Sequence, residues 1–436
     1  MSQAEKPTER LALLGGSPVI DRTFAEYQSM GAAEENAVKR VVQSGCLSGF
    51  FGSPGPEFGG GPEVRGFEEE WSARFNVKHT ISVNSATSGL VAAMGAIGIS
   101  PGDEVIVPPW TMSATVAAPI FYGGIPVFAD IEDETFCIDP ARVAGQITEK
   151  TKAVVCVNLF GHPARLHELR TLCDTKGIYL IEDNAQSPLG SENGKPTGSI
   201  GHIGIYSLNF HKHIHTGEGG MCVTGDDDLA TRLKLIRNHG ENCTDMLNGG
   251  PITNMVGMNL RMTEMSAAVG RVQLADADAH VEARERIANR LTDGLQGLEG
   301  LTPPVTRNGC RHNFYVWMMK IDEEALGLSR ALFSEALAAE GFPHATGYVA
   351  PLYRLPMFRE RIALGRDGWP FTLTARSYDD LHCPVTEDMH NRRALLFEPC
   401  AYALSDADVD AMIAAVRKVH AGRDQLNARL PHGARA

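Results

Sequence analysis

The sequence predicts an α/β fold in which helices cover both faces of a parallel sheet. Between about residues 77 and 225, short apolar runs alternate with segments long enough to form a helix, and this alternation is the signature of repeated βαβ units. Five runs are predicted as strands: HTISV (79–83), EVIVP (104–108), IPVFAD (125–130), KAVVCV (152–157) and IYLIED (178–183). Ligands of such sheets gather at the carboxyl ends of the strands, so we expect the functional site there.

A different pattern follows this alternating region. Residues 263–297 lack proline and carry apolar positions at helical spacing, so we predict one long helix that leaves the first domain. After it, FYVWMMKI (314–321) and a final helix near residues 405–420 predict a smaller α+β domain. We therefore divide the chain into a large domain, residues 1–290, and a small C-terminal domain, residues 291–436.

The composition limits the classes of partner. The chain has 40 Lys and Arg and 53 Asp and Glu residues, which gives a net charge of −13, and no basic block stands out. This balance argues against nucleic acid and anionic membrane as partners, and no apolar run reaches the roughly 18 residues that a membrane helix needs. The nine cysteines form no CxxC pair, and no signal peptide is readable in MSQAEKPTER. We therefore expect a cytoplasmic protein.

One lysine follows a strand-like segment and precedes a glycine-rich turn. In SLNFHKHIHTGEGG (207–220), Lys212 comes after GIYSL and before TGEGG, where the backbone bends tightly and a ligand can approach. A surface position is the ordinary explanation of any lysine. A desolvated lysine in such a place, however, has a lowered pKa and can form a Schiff base with a carbonyl compound. Lys212 is therefore a candidate catalytic residue.

Three histidines surround Lys212. His211, His213 and His215 alternate, so in a strand they would share one face and suggest a metal site. The carboxylates that accompany a catalytic metal ion are not adjacent, and matching residue types alone are only a motif-level indication. We predict no metal. We interpret His213 and His215 as local hydrogen-bonding residues, with contact to a substrate as the alternative.

Two further segments fit a lysine that binds pyridoxal 5'-phosphate (PLP), whose site also needs an acid for the pyridine nitrogen and a phosphate cradle. The strand that ends in IEDNAQS places Asp183 at its carboxyl end, and NSATSGLVAAM (84–94) runs from a strand end into a helix. The backbone N–H groups of Ala86 and Thr87, with the Thr87 hydroxyl, would face a bound phosphate. Helix capping would explain either segment alone, but the two segments and Lys212 together favour a PLP site.

The chain resembles the DegT/StrS family of PLP-dependent aminotransferases, which act on keto sugars and keto cyclitols. The similarity runs from GPEVRGFEEEW to the final helix, and its most specific part extends from IEDNAQ through Ser207 and Lys212 to TGEGG. The resemblance implies a fold type I PLP-dependent transferase, in which a large domain holds a mostly parallel seven-stranded sheet flanked by helices and a smaller α+β domain follows.

The same resemblance assigns roles around the cofactor ring. It makes Lys212 the lysine that forms the Schiff base and shuttles the proton, and it makes Asp183 the partner of the pyridine nitrogen. Gln186 would lie near the ring hydroxyl. At the position where relatives stack a Phe or Trp on the ring, PPWTMSAT has Met112, with Trp110 two residues earlier. A methionine can pack on a ring through its polarizable sulfur.

The resemblance also assigns the phosphate contacts. Ser207, five residues before the lysine, would join Ala86 and Thr87 at the phosphate. In GMNLRMTEMSAA, Asn259 matches an asparagine that in relatives reaches the cofactor phosphate of the neighbouring subunit. The resemblance therefore implies a homodimer with shared active sites.

The predicted substrate region departs from the pattern of many relatives. Sugar-nucleotide aminotransferases show a histidine-rich HY-P-LH pattern, whereas GYVAPLYRLPMF has Gly347 and Tyr353 where histidines would stand. This form, together with CPVTE (383–387), is more similar to the branch of inosose aminotransferases and aminohydroxybenzoate synthases. The predicted substrate contacts are Tyr348, Tyr353, Arg354 and the glycine- and proline-rich loop of residues 49–62.

We predict an aminotransferase that moves an amino group from glutamate or glutamine to a keto sugar or keto cyclitol, in amino-sugar, aminocyclitol or other secondary-metabolite biosynthesis. Sugar dehydratases of the family carry histidine in place of the lysine, so Lys212 disfavours that reaction. The aminohydroxybenzoate synthases keep the lysine and eliminate water while aromatizing a ring, so their chemistry stays open. A regulatory relative without turnover is the other alternative, which the presence of Lys212, Asp183 and Gln186 disfavours.

Overall fold

The computed structural model describes residues 9–427. Its helices are α1 (Ala32–Ser44), α2 (Pro62–Phe75), α3 (Ala86–Ala96), α4 (Ala114–Ile120), α5 (Pro140–Gln146), α6 (Leu166–Lys176), α7 (Asp227–Arg237), α8 (Glu264–Ala275), α9 (Ala277–Leu295), α10 (Glu323–Leu326), α11 (Arg330–Ala339), α12 (Pro356–Arg359), α13 (Pro384–Asp388), α14 (Asp406–Ala421) and α15 (Arg423–Asn427). Across residues 9–427, none of these helices combines the length with the apolar character that a bilayer crossing requires.

The strands form three sheets. They are β1 (His79–Val83), β2 (Glu104–Val107), β3 (Ile125–Phe128), β4 (Thr151–Val157), β5 (Tyr179–Asp183), β6 (Ser191–Glu192), β7 (Lys195–Pro196), β8 (Ile203–Ser207), β9 (Gly220–Thr224), β10 (Leu301–Thr302), β11 (Cys310–Arg311), β12 (Trp317–Ile321), β13 (Ala345–Thr346) and β14 (Ala394–Phe397). The largest sheet has seven strands in the order β1–β9–β8–β5–β4–β2–β3, and a small three-stranded sheet has the order β11–β6–β7.

The seven-stranded sheet is parallel apart from one strand. β9 is antiparallel to both of its neighbours, β1 and β8, and the other neighbouring strands pair in parallel. Strands such as β2, β3 and β9 are buried along their whole length, which is why they read as continuous apolar runs in the sequence. The predicted α/β fold with a mostly parallel seven-stranded sheet is confirmed.

All five strands predicted from the apolar runs form, and their observed ends lie within two residues of the predicted ones. The second strand stops before Pro108, because proline has no N–H to donate to a neighbouring strand. The third stops before Asp130, whose carboxylate instead accepts hydrogen bonds from the backbone N–H groups of Val385 and Thr386 at 2.9 and 3.1 Å. The apolar runs therefore predicted that the five strands exist, but they predicted the ends of the strands less accurately.

The helix predicted over residues 263–297 is two helices. α8 ends at Ala275 and α9 begins at Ala277, with Asp276 between them at φ −95° and ψ 5°. Aspartate is a weak helix former because its short polar side chain competes for backbone hydrogen bonds. The two helices also pack on different partners: α8 contacts α1 and α2, whereas α9 contacts α14.

A second core lies around the antiparallel sheet β10–β12–β14–β13 and the helices α9, α11 and α14. Leu11, Ile20 and Phe24, close to the start of the described chain, belong to this same core. The N-terminal segment therefore packs against C-terminal elements. The division of the chain near residue 290 falls inside α9 and stays a prediction.

A long segment between β13 and α13 returns to the large sheet. Phe358 and Tyr378 pack edge-on against Phe128 of β3, with ring centroids 5.2 and 5.9 Å away. The Tyr378 hydroxyl also donates to the carbonyl oxygen of Pro126 at 2.8 Å. Because β3 is the last strand of the sheet, this segment covers an edge that would otherwise be open.

Candidate active site

Two neighbouring parallel strands, β5 and β8, end in predicted site residues. Asp183 is the last residue of β5 and Ser207 the last residue of β8. Gly220, the first residue of the antiparallel β9, pairs with Ser207 on one side and with Val83, the last residue of β1, on the other. The end of β1 leads directly into α3. The topology thus brings segments that are far apart in the chain to one end of the sheet.

The start of α3 forms an anion cradle. Ser85 caps the helix, because its Oγ accepts the N–H of Ser88 at 3.1 Å. The N–H groups of Ala86 and Thr87 lie in the first turn, where a helix supplies no acceptor of its own. A Cβ atom at Gly220 would lie 2.7 Å from the nitrogen of Ala86, so only glycine allows β9 to approach the start of α3 this closely. The arrangement can hold a phosphate.

Asp183 is buried and held in one orientation. Its carboxylate accepts hydrogen bonds from the Thr115 hydroxyl at 2.7 Å and from the Ala185 N–H at 3.2 Å. Burial raises the pKa of Asp183, and these two donors together with the positive charge of Lys212 oppose that rise. Thr115 was missed at the sequence level. It belongs to PPWTMSAT, but no spacing in that segment links it to Asp183.

Lys212 lies in the loop between β8 and β9, where its N–H donates to the Asn209 carbonyl at 2.9 Å. Burial lowers the pKa of Lys212 to about 8, against an ordinary value of 10.5, and the negative charge of Asp183 opposes this shift. The Nζ atom lies 4.1 Å from the centroid of the Tyr315 ring. Tyr315 was also missed, because it comes from FYVWMMKI, which the sequence indicated only as a strand.

Gln186 is buried next to one of the predicted substrate residues. Its Oε1 accepts the Phe160 N–H at 2.7 Å, and its Nε2 donates to the Tyr348 hydroxyl at 3.3 Å. The Tyr348 ring packs edge-on against Phe160, with centroids 4.9 Å apart. Gln186 and Tyr348 are therefore brought together.

The two candidates for the stacking position differ sharply in exposure. Trp110 is fully buried, and its indole N–H donates to the Val349 carbonyl at 2.8 Å. Met112 is 61% exposed, and its carbonyl accepts the N–H of Thr115, the residue whose hydroxyl holds Asp183. Met112 is thus the one whose side chain is free to cover a ligand.

The three histidines around Lys212 lie in a loop, so they do not share the face of a strand. His213 is buried, with Nε2 2.9 Å from the Asn313 carbonyl oxygen, and the Nε2 of His215 is 2.9 Å from the Ser29 hydroxyl. His211 is exposed. The predicted local hydrogen bonds form. Among residues 9–427, no group of three or more His, Cys, Asp and Glu side chains could hold a metal ion.

Tyr353 and Arg354 are not brought next to Lys212. Tyr353 is buried against Phe128 of the edge strand β3, and its hydroxyl donates to the Glu387 carboxylate. Arg354 forms an ion pair with the same carboxylate at 3.1 Å. In the sheet order, β4 and β2 separate this cluster from Asp183 at the end of β5.

Asn259 is exposed, and it lies beside the start of the anion cradle in its own chain. Its carbonyl oxygen is 3.5 Å from the Asn84 side-chain nitrogen, and its Oδ1 accepts the Arg261 Nε–H at 2.8 Å. Asn238 forms an isolated β-bridge with Asn259 and donates to the Phe51 carbonyl at 2.8 Å. The loop of residues 49–62 is therefore tied to the same corner of the molecule.

Known proteins resemble the chain over nearly its full length. A model of the DegT/DnrJ/EryC1/StrS aminotransferase family matches residues 54–417. The L-glutamine:2-deoxy-scyllo-inosose aminotransferase of Streptoalloteichus tenebrarius is 33% identical over 431 residues, which cover 96% of this chain and 99% of the relative.

Two solved structures share the fold over a similar extent. DesI in the presence of its TDP-sugar product has a TM-score of 0.79 and 30% identity, and the match covers 96% of this chain and 98% of that one. The structure of 3-amino-5-hydroxybenzoic acid synthase has a TM-score of 0.76 and 25% identity, with 93% and 100% covered. The resemblance read from the sequence motifs is confirmed. The chain belongs to the DegT/DnrJ/EryC1/StrS aminotransferase family and is an aminotransferase.

Proposed function

We propose that the chain moves an amino group from glutamine or glutamate to a keto sugar or keto cyclitol, with PLP as its cofactor. The observation that carries the proposal is the convergence of Lys212, Asp183 and the start of α3 at one end of the large sheet. These groups supply the amine, the carboxylate and the phosphate cradle that PLP-dependent transamination needs.

The described residues fit PLP in shape and in charge. The N–H groups in the first turn of α3 have no acceptor within the helix, and the close approach of Gly220 brings Ser207, its partner in β8, to the same corner, which suits a phosphate. The buried Asp183 suits a protonated pyridine nitrogen, because an unpaired buried carboxylate is costly. The residues that would hold the cofactor are Ala86, Thr87 and Ser207 at the phosphate, Asp183 and Gln186 at the ring edge, Met112 on a ring face, Lys212 at the carbonyl carbon and Asn259 of the partner subunit.

When bound, PLP supplies a sink for the electrons that are released when the donor's α-carbon loses its proton. Lys212 would carry that proton on Nζ, and its pKa of about 8 leaves far more uncharged amine near neutral pH than an ordinary lysine has. Thr115 would fix the Asp183 carboxylate so that its charge stays at the pyridine nitrogen. Burial of Lys212 and Asp183 limits the competition of water for both groups.

The names of the relatives support the substrate class. One is a glutamine-dependent inosose aminotransferase, which supports glutamine as donor and a keto cyclitol as acceptor. Another was solved with a TDP-sugar product, which supports a keto sugar. The fold shared with 3-amino-5-hydroxybenzoic acid synthase favours an elimination that aromatizes a ring as the second candidate reaction.

The test begins with the purified protein and added PLP. We expect a visible absorbance band from the cofactor on Lys212, and we expect glutamine or glutamate to convert it to the band of the aminated cofactor. Lys212→Ala should show neither change, whereas replacement of the exposed Lys150 by Ala should show both. A protein that forms no band with PLP would contradict the proposal and favour the regulatory alternative.

The aminated protein is then offered keto cyclitols, nucleotide-linked keto sugars and an amino-cyclohexenone. Formation of an amine with return of the first band supports transamination of that substrate. Release of water with formation of an aromatic product, without return of the band, would support the aromatizing reaction instead. The two chemistries are therefore separated by product and by spectrum.

We also propose a homodimer with shared sites, in which Asn259 serves the partner's phosphate. Asn259 is exposed although it lies beside the cradle, and its amide is already oriented by Arg261. An oriented and exposed amide at this corner supports a contact across a subunit interface.

A further inference from the structure

Tyr315 lies against the amine that the proposed reaction uses. Its ring centroid is 4.1 Å from Nζ of Lys212, within the range of a cation–π contact. Within residues 9–427, neither the Lys212 amine nor the Tyr315 hydroxyl makes a hydrogen bond to a protein atom. The ring of Tyr315 therefore contacts an amine that no hydrogen bond to the described residues holds in place.

The position of Tyr315 is fixed by its backbone. The N–H of Val316 donates to the Phe160 carbonyl at 3.1 Å, and the Asn313 N–H donates to the Gly161 carbonyl at 3.3 Å. A Cβ atom at Gly161 would lie 2.9 Å from the Tyr315 nitrogen, so the two segments approach as closely as glycine allows. The segment that carries Tyr315 is thus fastened to the loop after β4.

Phe314 gives this segment an unusual turn. Its φ of 51° lies in the left-handed region, which is unfavourable for a bulky residue. Its ring stacks on His312 at 3.9 Å and is buried in the second core, which holds the residue in this conformation. The turn at Phe314 sends Tyr315 out of the line of β12 and toward Lys212.

We propose that Tyr315 is a positioning residue, whose ring covers the Lys212 amine, favours its uncharged form and keeps it aimed at the site. The inference rests on the proposed role of Lys212 and adds a residue to that role. The aromatic ring displaces water from one side of the amine, and this loss of hydration disfavours the ammonium form. The π face attracts a cation, which opposes the effect, but no carboxylate of the described residues forms an ion pair with the amine to reinforce that attraction.

Several titratable groups face Lys212 and bear on its charge. Asp183 from β5 and Glu398 after β14 favour the ammonium form by their negative charges, whereas burial raises the pKa of the nearby Cys400 thiol and so favours its neutral form. His211 and His213 flank the lysine in its own loop, and both rings also lie 6.1 Å from the Tyr315 ring. Because two carboxylates favour the charged form of Lys212, its lowered pKa requires a strong loss of hydration, which the Tyr315 ring helps to provide.

The test titrates the Lys212 amine directly in cofactor-free protein. An acylating reagent is applied across a series of pH values, and the labelled fraction of the Lys212 peptide is measured by mass spectrometry, with exposed Lys150 as the internal reference. We expect a midpoint near 8 in the parent protein. Tyr315→Phe keeps the ring and should keep this midpoint, whereas Tyr315→Ala should raise it by about one pH unit.

The inference would be overturned if the midpoint of Tyr315→Ala stayed within about 0.3 pH units of the parent value. A lower midpoint would also overturn it, because it would show that the ring favours the ammonium form. Tyr315→Leu keeps an apolar side chain over the amine and is a second test in case the Ala variant does not fold. Its titration midpoint should lie between those of the Phe and Ala variants. Thermal unfolding of each variant identifies any that does not fold. Because no cofactor is used, these outcomes are independent of PLP binding, and a failure of the proposed function would show instead as a missing PLP band in the parent.

Discussion

Lys212 owes its proposed reactivity to the loss of water around its amine. Burial lowers its pKa to about 8, so about half of the amine is uncharged at that pH and the uncharged share approaches its maximum about one pH unit higher. Because only the uncharged amine attacks a carbonyl, the capture of PLP by cofactor-free protein should accelerate with pH and level off about one pH unit above 8. Stopped-flow absorbance measures this rate. A rate that keeps rising up to the ordinary lysine pKa of 10.5 would show a solvated amine.

Asp183 and Thr115 form a pair that separates cofactor binding from catalysis. Asp183→Asn should still bind PLP through the phosphate cradle but should lower kcat by about a hundredfold or more, because the charge at the pyridine nitrogen is lost. Thr115→Val removes one hydrogen bond to the carboxylate and should lower kcat about tenfold. Steady-state kinetics and a PLP titration check both variants. Rates close to wild type in Asp183→Asn would show that another acid serves the ring.

Single residues also show what the sequence could and could not predict. Lys212, Asp183 and the start of α3 were predictable, because each follows a recognisable strand and carries its own chemistry. Tyr315 and Thr115 were not, since their roles arise from contacts with residues far away in the chain. Tyr353 illustrates the opposite case: its position next to a motif suggested substrate contact, whereas its hydroxyl is already bonded to Glu387.

At the scale of elements, the meeting of β9 with α3 decides whether the cradle is open. Gly220→Ala would place a methyl carbon 2.7 Å from the Ala86 nitrogen, so either the helix start shifts or the phosphate loses its space. An overpacked contact of this kind costs roughly 1–3 kcal/mol, so we expect PLP affinity to fall by about tenfold or more. A PLP titration monitored by absorbance gives the affinity.

Gly225→Ala is the matched control for this change. Gly225 follows the other end of β9, and an added Cβ there has no atom within 4 Å. It should leave PLP affinity and the thermal unfolding midpoint unchanged. If Gly220→Ala also binds PLP with parental affinity, the cradle does not hold the phosphate.

Elements were predictable where one local signal dominates. The buried strands of the large sheet are apolar throughout, and no other structure competes for such runs between helices. The prediction of a single helix over residues 263–297 was wrong. The helical spacing of apolar residues continues across Asp276, but the helix breaks there, and α8 and α9 pack on different neighbours. Packing partners do not appear in a local pattern.

At the scale of the whole molecule, the proposed dimer makes a prediction that a monomer does not. Chains with Lys212→Ala and chains with Asn259→Ala are co-expressed with different tags, and the mixed dimer is purified. If Asn259 serves the partner's site, the mixed dimer contains one intact site, so its activity should be about half that of wild type. Each parent homodimer has two damaged sites and is the control. A mixed dimer no more active than the better parent would place Asn259 in its own site.

The association of the two cores could not be predicted from the sequence. Leu11, Ile20 and Phe24 join a core made by elements from the C-terminal third of the chain, and Phe358 and Tyr378 return to cover β3. Such contacts join residues hundreds of positions apart in the chain. Any apolar surface of similar size could bury the same side chains, so the sequence does not identify which surface they pack against.

The position of β9 has a consequence for how the protein matures. β1 emerges early during synthesis, but its only partner in the sheet is β9, which is made much later, and β9 must insert between β1 and β8. Until then β1 has no neighbour and the corner where Val83, Gly220 and Ser207 meet does not exist. A chain that ends before β9 lacks one side of this corner, so retention of a ligand there requires synthesis at least as far as Thr224.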